Sequence, residues 1–200
     1  MADVSWITSI RNSGVVTVDA SKVTNPGWKL ATAAAIRELN ALFTSNQVNV
    51  QLQTGDSPVV IIGVTTGNYT FPVDGQEQRG SLRKDVLHGA TRSVDRQTFN
   101  DLSREQAFIF LPQHPRVDPQ NAKSRDVGEP VMRVIVAHEF LHALGLDKHD
   151  QGFQGLFAGT WSLNEGDKAK DDTVSPFGGK ELLPPLALSA QTWVRLKALW

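Results

Sequence analysis

The chain carries five histidines and no cysteine, and three of the histidines fall between positions 138 and 149. The stretch reads Val134-Ile135-Val136-Ala137-His138-Glu139-Phe140-Leu141-His142-Ala143-Leu144-Gly145. On an α-helix, positions four apart lie about 40° and about 6 Å from each other on one face. His138 and His142 can therefore close on one zinc ion without distorting the backbone. Glu139 sits beside that face, where a carboxylate can take the proton of a water held at the metal and later pass it to a leaving amine. It is not expected to be a ligand, because a catalytic zinc keeps one position open. Three polar residues inside so apolar a helix are costly to bury unless something satisfies them. A third ligand is required, and Gly145-Leu146-Asp147-Lys148-His149-Asp150 follows directly. Gly145 permits a left-handed helix end, after which the chain can double back and bring His149 to the metal.

These residues resemble the signature of the metzincin clan of zinc endopeptidases, HExxHxxGxxH followed by a methionine-containing turn. Residues 138–150 are most similar to the matrixin branch, where a Gly-Leu-x-His run is common. The match departs by one residue: the signature would place the third ligand at Lys148, and His149 comes one position late. Asp147 is the alternative ligand, since a carboxylate binds zinc at similar distance. The only methionines are Met1 and Met132, so the turn's methionine has no counterpart. Thr173-Val174-Ser175-Pro176-Phe177 is the nearest match, with Val174 standing where the family has its apolar floor. The resemblance implies a zincin-like fold, one catalytic Zn2+, a protein or peptide substrate and peptide-bond hydrolysis assisted by Glu139. It also implies an exposed edge strand that pairs with the substrate backbone, for which Leu87–Ser93 is the candidate. Some members use a tyrosine after the turn as an oxyanion donor, but the single tyrosine here, Tyr69, lies far upstream. Without cysteine there can be no cysteine-based latency, and the chain is expected to open straight into the first strand with no propeptide.

Regular elements must hold these groups in place. Val15–Val18 follows the turn-like Asn12-Ser13-Gly14 and predicts a strand. Val48–Leu52 alternates apolar and polar residues, while Val59–Ile62 and Ala107–Leu111 are continuous apolar runs suited to central strands. Asn25-Pro26 marks a helix start, and Trp28, Ala31, Ala35, Leu39 and Leu42 recur at helical spacing up to Phe43. Pro130 and Gly145 bracket a second helix at about 129–144, and Ser189 caps a last one, Ala190–Trp200. Residues 66–106 predict one short edge strand, the same Leu87–Ser93; 112–130 predict a loop and 146–188 mostly irregular chain. The fold class is α+β: a mixed, mostly parallel twisted sheet, a backing helix, a zinc-site helix and an irregular C-terminal lobe ending in a helix. One catalytic domain is expected over 1–200, with lobes meeting near residue 145.

With 40% hydrophobic and 20% charged residues, 16 Gly and 10 Pro, the composition is that of a globular chain. Twenty basic against 21 acidic residues leave a net charge of −1, which offers no field for nucleic acid or an anionic membrane. No apolar run approaches the roughly 18 residues of a membrane span. The absence of cysteine excludes a disulfide scaffold, a zinc ribbon, a cysteine protease and an iron–sulfur protein. Met1–Trp6 shows no signal-peptide pattern, so the chain reads as soluble, with its compartment (secreted or not) and its oligomeric state left open. Two other functions compete: a gluzincin-type peptidase with Glu165 as third ligand, and a metal-binding or interaction module without turnover. Asp167, Asp171 and Asp172 could bind calcium, although unspaced acidic loops are usually only solvated. His88 and His114 are expected to be solvated surface residues.

Overall fold

The computed structural model describes residues 3–99, 101–121, 123–150, 155–157 and 186–200. In chain order its elements are β1 (Ser5–Trp6), α1 (Thr8–Ser13), β2 (Val15–Lys22), α2 (Pro26–Ser45), β3 (Gln51–Thr54), β4 (Val60–Thr65), β5 (Asn68–Val73), β6 (Gln76–Ser81), β7 (Ala90–Gln97), β8 (Leu102–Pro112), α3 (Glu129–Ala143) and α4 (Ala190–Leu199). This is a mixed α/β arrangement with a mostly parallel sheet and, among the described residues, four helices.

The sheet runs β3-β2-β4-β8-β7, with the short β1 set beside the start of β8. Every pairing is parallel except β7 on β8, which is antiparallel and forms one edge. Val16, Val18, Val60, Ile62, Ile109 and Leu111 alternate onto one face and are fully or almost fully buried. That face is covered by α2 and α3. Asn25 starts α2 as its sequence predicts, its side chain accepting from the main-chain N–H of Gly27 at 2.8 Å and Trp28 at 3.2 Å. The α2 stripe buries Trp28, Ala31, Ala35, Leu39 and Phe43 completely. The Trp28 indole N–H is not stranded there, because it donates to the Pro112 carbonyl at 3.0 Å.

The opposite face is covered by the β5–β6 hairpin. Tyr69 stacks on Phe110 with ring centroids 3.8 Å apart, and Phe71 lies 5.7 Å from Phe108. Tyr69 pairs with Gly80 across the hairpin, and a Cβ on Gly80 would run into the Tyr69 ring. The turn is Asp74-Gly75, with φ of 50° and 77°, the backbone that a tight two-residue hairpin demands. Residues 66–106 therefore hold three whole strands and the start of β8 where the sequence predicts one strand. The reason is visible in β6: Gln76-Glu77-Gln78-Arg79 is polar on both faces and has no alternation to read. The expected edge strand exists but begins at Ala90 and continues to Gln97, later than Leu87–Ser93. Likewise β3 begins at Gln51, while Val48 and Val50 are buried ahead of it. The short α1, which buries no side chain fully, leaves no periodic stripe to detect. No helix among the described residues is long and apolar enough to cross a membrane.

Candidate metal centre

The ligand helix α3 is buried almost throughout, with Val134, Ile135, Val136, Phe140 and Leu141 at most 1% exposed. Pro130 stands in its first turn, where its missing N–H leaves no bond unmade. At the other end Gly145 adopts φ of 113° and donates to His142 O at 3.0 Å, while Leu146 N–H reaches Leu141 O at 3.2 Å. This paired closure is the Schellman ending. Gly145 is doubly required, since a Cβ there would also collide with the Val4 carbonyl. A buried helix end needs partners for its last carbonyls. Arg104 donates to His142 O at 2.6 Å, the Trp6 indole to Ala143 O at 3.1 Å and the Trp200 indole to Leu144 O at 3.2 Å. Arg104, itself only 6% exposed, is neutralised by Asp95 on β7 at 3.0 Å. It thereby ties the edge strand to the end of the ligand helix.

His138, His142 and His149 converge with one nitrogen each inside a 4.8 Å cluster. His149 Nε2 lies 3.1 Å from His138 Nε2 and 3.0 Å from His142 Nε2. Nitrogens about 2.0–2.1 Å from a shared zinc at tetrahedral angles stand about 3.3 Å apart, close to both separations from His149. The proton positions support the fit. His138 Nδ1 meets Leu156 O at 2.8 Å and His142 Nδ1 meets Leu146 O at 2.8 Å. A carbonyl can only accept, so both Nδ1 atoms carry the hydrogen and both Nε2 atoms present lone pairs. A cation shared with His149 would satisfy both lone pairs. Burial first of all holds the two imidazoles neutral, lowering His138 to about 4 and His142 to about 3. The cluster contains His149, the expected third ligand, and not the reserve Asp147, whose N–H is bonded to Asp3 at 3.0 Å.

Phe157 was not anticipated from the sequence. Its ring, fully buried, lies 5.3 Å from His138, 4.9 Å from His142 and 5.2 Å from His149. Val174, the sequence candidate for an apolar floor, lies outside the described residues, as do Glu165, Asp167, Asp171 and Asp172.

Glu139 sits next to the cluster, 3% exposed, with both carboxylate oxygens engaged. Oε1 accepts from Gly89 N–H at 3.1 Å and Oε2 from the Thr91 hydroxyl at 2.7 Å. Burial pushes its pKa above the ordinary carboxyl value, against the pull of the Thr91 bond. Gly89 is another requirement that the sequence leaves unmarked: a Cβ there would sit 2.6 Å from Glu139 Cγ. A cleft of about 1000 Å³ opens between α3 and the edge strand, lined by the three histidines, Glu139, His88 and residues 89–93. His88 is exposed, as expected, yet it stands in the cleft wall with its Nδ1 2.9 Å from Gly89 O. His114 lies elsewhere, paired with Asp126 at 2.7 Å on the surface. Tyr69 is held under the hairpin and does not line the cleft. No protein-family model matches this chain, and no curated protein matches it either.

Proposed function

We propose that the chain is a zinc-dependent endopeptidase of metzincin type. The observation that carries this reading is the convergence of three imidazole nitrogens beside a buried glutamate, at the wall of an open cleft. His138, His142 and His149 would hold the ion. Zinc bound there would act as a Lewis acid on a substrate carbonyl and lower the pKa of a nearby water. Glu139 takes the proton of the attacking water on a carboxylate oxygen and returns it to the leaving amine. Its raised affinity for protons suits that exchange, and Thr91 and Gly89 orient it. Among the described residues β7 pairs only with β8, and its outer edge offers main-chain bonds to an extended peptide. The presence of His149 in the cluster favours this ligand set over one completed by Glu165.

Measuring zinc content and cleavage of an unfolded protein such as casein, with Glu139→Ala as control, tests the proposal. The expected result is about one zinc per chain in both proteins and cleavage lost in the variant, by a factor on the order of 10² or more. Cleavage that survives Glu139→Ala, or a chain that takes up no zinc, would overturn it. One observation favours a second reading, a metal-binding module without turnover: both Glu139 oxygens are already bonded, to Gly89 just before the edge strand and to Thr91 within it. Bound zinc without Glu139-dependent cleavage would select that reading.

A further inference from the structure

We propose that Arg195, on α4, is the positioning residue of the third histidine, fixing the chain on either side of His149 and tying it to the N-terminal segment through Asp3. This rests on reading the three histidines as a metal centre. His138 and His142 are placed by a helix, but His149 stands in a loop and needs an external restraint. Arg195 supplies it from several directions. Its Nη2 donates to the Lys148 carbonyl at 2.7 Å, one residue before the ligand. Its Nη1 lies 3.9 Å from Oδ1 of Asp150, one residue after it. Asp150 is 7% exposed, and Arg195 is the cation that faces it. The same Oδ1 accepts from the Thr192 hydroxyl at 2.5 Å, a second hold from α4. The guanidinium also covers Phe157, 5.9 Å from its centroid, on the ring that touches all three imidazoles.

Asp3 completes the arrangement. Its two oxygens accept from Arg195 Nε and Nη2, each at 2.7 Å, and its Oδ1 also accepts from Asp147 N–H at 3.0 Å. Val4 N–H then reaches Gly145 O at 2.9 Å. The loop is thus gripped at 145, 147, 148 and 150 by residues from both ends of the described chain. Only an arginine can serve all these acceptors, because its planar fork binds a carboxylate in bidentate fashion while a further N–H reaches elsewhere. With side chains 18% and 22% exposed, the Arg195–Asp3 pair is shielded enough to hold a geometry rather than merely decorate a surface.

The test is a double-mutant cycle on metal affinity. Zinc dissociation constants, from competition with a chromophoric chelator, are measured for the unmodified chain, Arg195→Ala, His149→Ala and the double variant. Arg195→Ala is expected to weaken zinc about 10–100-fold, the usual effect of removing a residue that orients a ligand. It should also alter the visible absorption of the Co2+-loaded chain, and cause no further loss once His149 is gone. An equal loss with and without His149, or no loss, would overturn the proposal, since a general destabilisation of α4 would not distinguish the two backgrounds. Asp3→Asn is a milder variant that stands in if Arg195→Ala does not fold; it should show a smaller loss with the same dependence on His149, and equal losses there would equally overturn the idea. A chain that binds no zinc at all overturns the metal reading along with this one. Zinc binding that depends on Arg195, without Glu139-dependent cleavage, overturns the peptidase reading alone.

Discussion

His138 and His142 stand on a helix whose neighbours Ile135, Phe140 and Leu141 are at most 1% exposed, whereas His149 stands on a loop whose neighbours are Asp3, Asp150 and Arg195. The first two are held by close packing of apolar side chains, which is strong and non-directional and tolerates the imidazoles only while they are neutral. The third is held by ion pairs and hydrogen bonds, which are directional and depend on protonation. A three-histidine cluster built from both kinds of restraint has a firm half and an adjustable half.

Acid should separate the halves most strongly. In the metal-free chain His138 and His142 have folded-state pKa values of about 4 and about 3, below the unfolded value of about 6.5. The unfolded chain then binds more protons, so their contribution is full above pH 6.5 and is lost as pH falls toward 4. Glu139, raised by burial, runs the other way, weakening the fold as pH rises above about 4.5, and partly offsets them. At Asp3 burial raises the pKa, but the bonds from Arg195 and the loop prevail and the net shift is downward from 3.8. Its contribution is therefore intact until pH falls below about 4. Thermal melts of the chelated protein against pH should decline from 6.5, before the Asp3 contacts fail; a flat curve from pH 7 to 4.5 would contradict the neutral, buried histidines.

Next in size, Phe140→Ala should cost about 3–5 kcal/mol by opening a cavity beneath the ligand helix. Chemical denaturation would measure it, and zinc affinity should fall together with stability. If stability fell while affinity stayed, the firm half would not depend on packing as described. The smallest effect tests whether Glu139 belongs with its helix or with the strand that grips it. Gly89→Ala forces Glu139 aside by its new Cβ, and displacement of this kind is worth about 100-fold in turnover. Zinc stoichiometry and melting temperature should barely change. Unaltered turnover would mean that α3 alone orients the base.

The sequence makes the firm half legible and the adjustable half almost invisible. Helices α2 and α3 announce themselves through periodic apolar residues, Asn25, Pro130 and Gly145, because local propensity and burial agree there. His149 could be named from its chemistry and its distance beyond Gly145. Arg195, by contrast, is an ordinary basic residue of a terminal helix, and its partner Asp3 lies 192 positions away. Phe157 is an isolated aromatic, and nothing local says that it meets three imidazoles. Gly89 looks like any loop glycine until Glu139 is placed against it. The polar strand β6 hid because its aromatic cover is supplied by β5 alone, from Tyr69 and Phe71.

The Asp3–Arg195 pair also bears on the order of assembly. Contacts between residues 192 positions apart close a very long loop, and such contacts are entropically expensive to make early. The strands and helices that place His138 and His142 join over shorter spans and can form first. A chain still being synthesised could present two imidazoles but would not complete the set until α4 had emerged and met the N-terminal segment. The placing of two charged residues thus sets the order in which the three imidazoles come together.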